Sequence, residues 1–376
     1  SLLVQLTMDV KAVQGTSDDA AVSKLCAAEK GYFDDKFLQY FVTKRAKRSP
    51  LINRGYYSRV AAFEIMVKDF LQNGPQPKIC SPPAGSTTTS SQTTAMETES
   101  SSANDLDAKG YQIVCLGAGF DTTFFKVRKA GFKGFRYIEA DLPDIAQRKA
   151  HIIRATAELR SLAGLDDEEG EEAGGDEEKD PSKKKVKRKK IQADIHTQNY
   201  HLVSCDLRDP KALDVAMEKC GADFSIPTLF LSECVLIYLE PKYSTGVIAW
   251  ASKKSSNGGG FGRFVCYEQI RPDDPFGQIM IQNLQGRGCA LRSLKAYPTL
   301  EAQVKRYRDC GWTDAQSFDM NTVYSKILDP KDKARIEKLE MFDEFEEWHL
   351  FGAHYALTIG TYYPPTKKQS EKKDKL

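Results

Sequence analysis

Glycine and acidic residues recur in this chain at the ends of apolar segments, where they could bind a small ligand. The apolar run at 113–116 leads directly into Gly117 and Gly119. Glycines at a strand-to-loop corner tolerate a sharp turn and let main-chain N–H groups approach a ligand. A nucleotide-type cofactor is the usual occupant of such a corner, and a tight turn without a ligand is the alternative. We therefore treat both glycines as candidate cofactor-binding residues.

Three further apolar segments end in acidic residues. Glu139 and Asp141 lie about 20 residues after the glycines, where a carboxylate can accept hydrogen bonds from ribose hydroxyls. Asp206 follows the next segment and could accept from the adenine amine, while Leu207 covers the ring. Glu233 ends the segment after that. Each acid alone could instead cap a helix or lie in a solvated loop. Because carboxyl ends of parallel strands line the same crevice, we expect these side chains to meet there.

The loop after the glycines favours a cofactor without a pyrophosphate. The third glycine of a dinucleotide fingerprint is replaced by Thr122, and the sequence contains no P-loop. Asp121, in the same loop, would repel phosphates. S-adenosylmethionine fits better, because its ribose and adenine need acceptors and nearby carboxylates stabilise its cationic sulfonium. The sequence therefore predicts S-adenosylmethionine as the cofactor.

Composition limits the class of protein. The chain has 376 residues, 41% of them hydrophobic, and a formal net charge of +2. A sizeable core is expected, and neither nucleic-acid binding nor attachment to a membrane surface is favoured. The nine cysteines include no C-x-x-C pair, which indicates reduced, buried thiols and no metal site. The N-terminus does not resemble a secretory signal. We expect a cytoplasmic monomer, and the basic run at 183–190 leaves a nuclear location open.

The pattern along the chain predicts one α/β domain over residues 21–363. Strands alternate with helices through the first five strands, which is typical of a doubly wound, mostly parallel, Rossmann-like sheet of seven strands. Helices precede the sheet, and further helical insertions are expected within it. Residues 1–20 and 364–376 are expected to be disordered. The inserts at 81–107 and 163–192 are low in complexity and cannot contribute to a core.

The sequence pattern predicts helices around the sheet. They include helices at 53–71, 144–162 and 332–350. The first contains two arginines among aromatic residues and would have to cover the sheet.

Seven segments in fixed order resemble the leucine carboxyl methyltransferase family. They are NRGYYSRV at 53–60, LGAGFDTTF at 116–124, YIEADLP at 137–143, DLRD at 206–209, LSECVLIYL at 231–239, YEQ at 267–269 and DPFGQIM at 274–280. The order and spacing hold from about residue 24 to residue 361, outside the two inserts. The set is far more specific than the paired glycines alone.

The resemblance implies a Rossmann-like methyltransferase that uses S-adenosylmethionine. Members of this family esterify the C-terminal leucine of type 2A protein phosphatase catalytic subunits. The implied partner is therefore that catalytic subunit, which would dock through its C-terminal tail and its active-site face. The resemblance also assigns cofactor contacts to Lys24, Arg59, Gly117, Asp141, Asp206, Leu207 and Glu233. Arg59 would also lie near the acceptor, and Tyr238 would lie near the incoming leucine carboxylate.

The reaction implied by this family needs little acid–base catalysis. A terminal carboxylate has a reference pKa of about 3.3–3.7 and is ionised at pH 7, so no general base is expected. Alignment of the reactants and exclusion of water remain as the enzyme's task. Two alternatives stay open: a carboxyl methyltransferase of the tRNA wybutosine pathway, whose relatives carry a kelch-repeat extension, and a non-catalytic phosphatase-binding protein. Since the sequence shows no such repeat, we favour the phosphatase substrate over tRNA.

Overall fold

Eight strands form one mixed sheet in the part of the chain that the structure describes. The structure is a computed structural model, and it describes residues 2–76, 110–166 and 194–365, with side chains from residue 12 onward. The strands are β1 (Tyr111–Leu116), β2 (Phe135–Asp141), β3 (Ile195–His196), β4 (Tyr200–Ser204), β5 (Thr228–Glu233), β6 (Gly262–Gln269), β7 (Asp314–Asp319) and β8 (Tyr355–Tyr362).

The order of the strands creates a crevice beside β1. Across the sheet they run β3-β4-β2-β1-β5-β6-β8-β7. The four pairings from β4 to β6 are parallel, and β3, β7 and β8 add antiparallel pairings at the two sides. All six residues of β1 are buried, as expected for a parallel strand covered on both faces. From β1 the chain adds β2 and β4 on one side of the sheet and then returns to add β5 and β6 on the other side. The order of the strands therefore reverses between β1 and β5, which is where an open α/β sheet binds its ligands.

Helices cover both faces of this sheet and supply the walls of the crevice. They are α1 (Leu2–Glu29), α2 (Leu38–Phe41), α3 (Pro50–Asn73), α4 (Thr123–Lys129), α5 (Pro143–Ala155), α6 (Ala157–Ala163), α7 (Pro210–Lys219), α8 (Pro241–Gly258), α9 (Pro275–Gly286), α10 (Leu300–Asp309), α11 (Met320–Thr322), α12 (Pro330–Ile336) and α13 (Phe345–Ala353). A 3₁₀ turn spans Leu236–Tyr238, and a π-helical turn spans Val323–Ile327.

The prediction of a doubly wound, mostly parallel α/β sheet is confirmed. The predicted count of seven strands is one too few, because β3 has only two residues and gives no alternation to detect. The predicted helix at 144–162 is broken at Thr156, which is extended, although no glycine or proline marks the break. The predicted helix at 332–350 is two helices, α12 and α13. An irregular segment separates them, and in it Glu340 accepts a hydrogen bond of 2.8 Å from Asn53 on α3.

The prediction of a disordered segment at 1–20 is wrong for the described residues 2–20, which belong to α1. Tertiary contacts hold the second half of this segment. Ala12 and Val13 pack against a small buried cluster around Tyr238 and Met280. Arg148 on α5 forms an ion pair of 2.7 Å with Asp18. These partners are distant in sequence, so local composition did not reveal them.

Several sequence predictions lie wholly or largely outside the described residues. They are the insert at 81–107, nearly all of the insert at 163–192 with its basic run, and most of the tail at 364–376. The eight cysteines of the described ranges are free thiols, and six of them are buried. Across those ranges, no helix combines the length and the apolar character needed to cross a membrane.

Candidate functional site

A cavity of about 890 Å³ opens at the carboxyl ends of β1, β2, β4 and β5. Residues of helices α1 and α3 also line the cavity, as does Tyr238 of the 3₁₀ turn. Nine of the ten predicted site residues line this cavity. They are Lys24, Arg59, Gly117, Gly119, Asp141, Asp206, Leu207, Glu233 and Tyr238. The cavity therefore joins residues that are separated by more than 200 positions in the chain.

The two glycines shape the loop after β1 through contacts within the protein. Both have positive φ, at 73° for Gly117 and 53° for Gly119. A Cβ on Gly117 would lie 2.5 Å from Val235 Cγ2, so the side chain of Val235 fills the space that this glycine leaves. Gly117 N–H donates to Ala140 O over 2.7 Å. Both glycines line the cavity, and the N–H group of each has a partner within the protein.

Asp141 holds this loop with both of its carboxylate oxygens. Gly119 N–H donates to Asp141 Oδ2 over 2.6 Å, and Leu142 N–H donates to Oδ1 over 2.7 Å. Burial raises the pKa of Asp141, and the two backbone donors offset part of that rise. Each carboxylate oxygen keeps a second lone pair, so the side chain can still accept from ribose hydroxyls. Asp141 thus supports the loop and faces the cavity at once.

Glu139 is the predicted site residue that the cavity does not include. It is fully buried inside the sheet, where Lys149 Nζ lies 2.5 Å from its Oε2 and Tyr200 donates to the same oxygen over 3.0 Å. Burial raises its pKa to about 7, against the opposing effect of Lys149. Lys149 also donates to the backbone carbonyl of Asp121 over 2.7 Å. Glu139 therefore supports the loop from behind, and we withdraw it from the set of cofactor ligands.

Glu233 joins the two predicted basic residues at the centre of the cavity. Lys24 Nζ lies 2.9 Å from Glu233 Oε1, and Arg59 Nε donates to the same oxygen. Burial would raise the pKa of Glu233, but the adjacent Arg59 and Lys24 lower it to about 2. Asp121 lies 4.0 Å from Lys24 and adds a second acidic group. The four side chains form a cluster with two positive and two negative charges.

Asp206 and Leu207 form the wall that follows β4. Arg208 reaches back to Asp206, with its Nη2 2.6 Å from Oδ2 and its backbone N–H 2.9 Å from Oδ1. Burial would raise the pKa of Asp206, but these bonds from Arg208 lower it. Leu207 is 8% exposed and presents an apolar surface beside this carboxylate. The pair can hold a flat heterocycle that carries a donor on its edge.

Tyr238 enters the cavity from the 3₁₀ turn. It packs with Ile237, Met280 and Leu294 and is 9% exposed. Burial raises the pKa of its phenol, so the group is neutral and can donate one hydrogen bond at physiological pH. No histidine occurs among the described residues that line the cavity. The lining is therefore equipped to bind and orient a ligand through carboxylates, cations and a phenol.

Sequence reasoning missed the wall supplied by α1. Residues 12–24 of this helix contribute Gln14, Ser17 and Asp19, among others, and Ser17 Oγ lies 3.1 Å from the Cβ position of Gly119. Arg287 and Arg292, which follow α9, were also missed. No motif surrounds these residues, so only the packing of distant elements could reveal them. Six basic and six acidic side chains line the whole cavity.

The donor and acceptor set fits S-adenosylmethionine. The amino-acid end of that molecule carries a carboxylate and an ammonium, which the cluster of Lys24, Arg59, Glu233 and Asp121 can match charge for charge. The ribose would meet Asp141, and the adenine would meet the wall after β4. The polar groups required for each part of the cofactor are therefore present in one cavity of suitable size.

Comparison with known proteins agrees with this geometry. The sequence model of the family described as leucine carboxyl methyltransferase matches residues 12–252. The chain is 39% identical to leucine carboxyl methyltransferase 1 homolog of Arabidopsis thaliana, over 92% of this chain and 88% of that protein. It is 37% identical to tRNA wybutosine-synthesizing protein 4 of Homo sapiens, over 92% of this chain but 43% of that protein. It is 31% identical to leucine carboxyl methyltransferase 1 of Caenorhabditis elegans, over 93% of this chain and 91% of that protein. The chain belongs to the leucine carboxyl methyltransferase family.

Proposed function

We propose that this protein transfers a methyl group from S-adenosylmethionine to the C-terminal leucine carboxylate of a type 2A protein phosphatase catalytic subunit. The observation that supports the proposal most directly is the cluster of Lys24, Arg59 and Glu233 inside a cavity bordered by Asp141 and Asp206. Such a cluster suits a zwitterion next to an adenosine. Membership of the family supports the same reaction class.

The residues of the chain would hold the cofactor by its charged and polar groups. When bound, S-adenosylmethionine supplies an electrophilic methyl group attached to a sulfonium. Lys24 and Arg59 would bind its carboxylate, while Glu233 and Asp121 would face its ammonium. Asp141 would accept from the ribose, and Asp206 with Leu207 would hold the adenine. Since both basic residues already share the carboxylate of Glu233, their positions are fixed before the cofactor binds.

The acceptor carboxylate needs orientation more than activation. A terminal carboxylate is ionised at pH 7, with a reference pKa of about 3.3–3.7. Tyr238 can donate a single hydrogen bond to it and leave a lone pair directed at the methyl group. Arg59 shares its charge with Glu233, so it would bind an acceptor less tightly than an isolated guanidinium would. This arrangement keeps the nucleophile reactive while the cavity wall excludes water.

A transfer assay with radiolabelled cofactor tests the proposal. The acceptors are the phosphatase catalytic subunit and the same subunit without its last leucine. We expect label only on the intact subunit, and we expect Tyr238→Phe to slow its methylation with little effect on cofactor binding. Tyr307→Phe is a matched control, because Tyr307 is also a buried phenol but does not line the cavity. Cofactor binding without transfer to the phosphatase would contradict the proposed activity and favour a non-catalytic binding protein.

A tRNA substrate is the second candidate. The identity of 37% to tRNA wybutosine-synthesizing protein 4 favours it. The equal numbers of basic and acidic side chains in the cavity do not favour a tRNA substrate, because a polyanion is bound by an excess of positive charge. Addition of unmodified and partly modified tRNA to the same assay separates the candidates. Label in the tRNA fraction and none in the phosphatase would replace the first proposal by the second.

A further inference from the structure

A cluster of two histidines and one cysteine lies away from the cavity, at the edge of the sheet. His196 and His201 are opposite each other in the antiparallel pairing of β3 with β4. Cys220 is the residue that follows α7. One ring nitrogen from each histidine and the sulfur of Cys220 lie within 4.8 Å of one another. None of the three lines the cavity, so the proposed methyl transfer does not use them.

The distance between the two rings suits a metal ion. Nδ1 of His196 and Nδ1 of His201 are 3.3 Å apart. In a tetrahedral zinc site with Zn–N bonds of about 2.0–2.1 Å, two nitrogen ligands are separated by about 3.3 Å. Cys220 Sγ lies at most 4.8 Å from the nitrogens, and its ideal separation from them is about 3.6 Å. A small movement of one side chain would bring all three ligands to zinc distances.

Hydrogen bonds within the described chain account for only one of the two ring nitrogens of His201. The side chain is 7% exposed, and among the described residues its Nε2 has no hydrogen-bond partner. Its Nδ1 is hydrogen-bonded to Nδ1 of His196, and an ion between the two rings would replace this bond. A neutral imidazole is the form that binds metals.

Cys220 would supply the third ligand through its sulfur. The residue is a free cysteine and is 2% exposed. A zinc ion would displace the thiol proton to solvent and bind the thiolate. Two imidazoles and one thiolate are ligands that zinc prefers, with water in the remaining position.

We propose that His196, His201 and Cys220 bind one zinc ion, which joins β3 and β4 to the end of α7. The ion would link this two-residue edge strand to α7. β4 leads directly to Asp206 and Leu207, which form one wall of the cavity. The zinc ion would therefore also stabilise the strand that carries this wall. The site is independent of the proposed methyl transfer.

Cobalt substitution tests this site in the full-length protein. The chain is freed of metal with a chelator, dialysed and titrated with Co²⁺. We expect one equivalent to produce a thiolate-to-cobalt charge-transfer band and the visible bands of a tetrahedral ion, and we expect one equivalent of Zn²⁺ to remove both. Absence of the charge-transfer band from the unsubstituted protein overturns the proposal, whatever the variants do.

Single variants then identify the ligands. Cys220→Ser should abolish the charge-transfer band, and His201→Asn should weaken zinc binding by at least about tenfold, which is the loss seen even for outer partners of zinc ligands. Cys310→Ser is the matched control, because Cys310 also follows a helix and precedes a glycine. Retained cofactor binding shows that each variant is folded. Equal zinc affinity in the unsubstituted protein and in His201→Asn would also contradict the assignment.

Discussion

Lys24 Nζ lies 2.9 Å from Glu233 Oε1, although 209 positions separate the two residues in the chain. This ion pair attaches α1 to the end of β5, and Arg59 on α3 donates to the same oxygen. One carboxylate in the cavity lining thus joins two helices to the sheet. The stability of the fold and the shape of the site depend on the same contact.

Glu233→Gln should destabilise the protein substantially. The amide is neutral, so Lys24 and Arg59, whose side chains are 13% exposed, would remain as partly buried cations without this counter-charge. Breaking a fully buried ion pair by removing one partner costs about 3–5 kcal/mol, and we expect a smaller loss for this partly exposed cluster. Denaturant unfolding at pH 7 measures the change. Glu158→Gln is the control, because its ion pair with Lys129 is exposed and should contribute less than about 1 kcal/mol.

The same residue predicts a loss of stability in acid. The pKa of Glu233 is lowered from 4.5 to about 2 in the folded protein. Its contribution to the free energy of unfolding is therefore present above about pH 4.5 and is lost as the pH falls towards about 2. We expect the difference in stability between the unsubstituted protein and Glu233→Gln to shrink across that window. A difference that stays constant with pH would show that the pKa is not lowered.

Gly117→Ala should be costly for two separable reasons. Its φ of 73° is unfavourable for alanine by about 1–2 kcal/mol. The new Cβ would also approach Val235 Cγ2 to 2.5 Å, and such overpacking costs about 1–3 kcal/mol. Unfolding free energies measure the sum.

Two further variants separate these reasons. Gly131→Ala has a φ of 90° but no neighbour within 4 Å of the Cβ position, so it should show the backbone cost alone. Adding Val235→Ala to Gly117→Ala should relieve the steric part. If the double variant loses as much unfolding free energy as the two single variants lose in sum, Val235 is not the obstacle.

The two arginines of the segment at 53–60 should respond differently to lysine. Arg54 is 4% exposed, and its guanidinium lies 3.6 Å from the ring centre of Phe342. Arg54→Lys loses this planar stacking and should destabilise the protein by about 1–2 kcal/mol without changing cofactor affinity. Arg59→Lys should weaken cofactor binding instead, because lysine cannot make the two parallel hydrogen bonds that a guanidinium can donate to the cofactor carboxylate. Calorimetry with S-adenosylhomocysteine and thermal unfolding distinguish the two effects.

Asp141→Asn should impair cofactor binding more than Glu139→Gln. An asparagine has one acceptor oxygen, so either Gly119 or Leu142 loses its partner, at about 1–3 kcal/mol. Glu139 acts on the cavity only through Lys149 and should affect mainly stability. The measurement is cofactor affinity by calorimetry beside the unfolding midpoint. The opposite ranking of affinities would return Glu139 to the site.

Strand ends could be predicted from the sequence, but positions within strands and distant helices could not. Gly117, Asp141, Asp206 and Glu233 meet because each lies at or just after the end of a parallel strand. Glu139 lies two residues earlier on the same face of β2, so it is about 6.6 Å further from the strand end and is covered by Lys149. The sequence pattern does not distinguish these two depths in a strand.

The contribution of α1 was unpredictable for a different reason. Two of its charged side chains reach partners far away in the chain: Lys24 pairs with Glu233 at the end of β5, and Asp18 pairs with Arg148 on α5. Single contacts of this kind leave no periodic signal in the sequence. Only the resemblance to a family pointed to Lys24, and nothing in the sequence pointed to its neighbours in the wall.

The equal numbers of acidic and basic side chains around the cavity have a consequence for how it recognises its ligand. The formal charges of the cavity wall cancel, so the wall itself contributes little attraction at a distance. Dissolved salt, which screens attraction beyond about 10 Å at 0.1 M, therefore has little of the wall's own attraction to weaken. As far as the wall is concerned, the methylated cofactor and its uncharged-sulfur product are told apart by groups in direct contact with the sulfur.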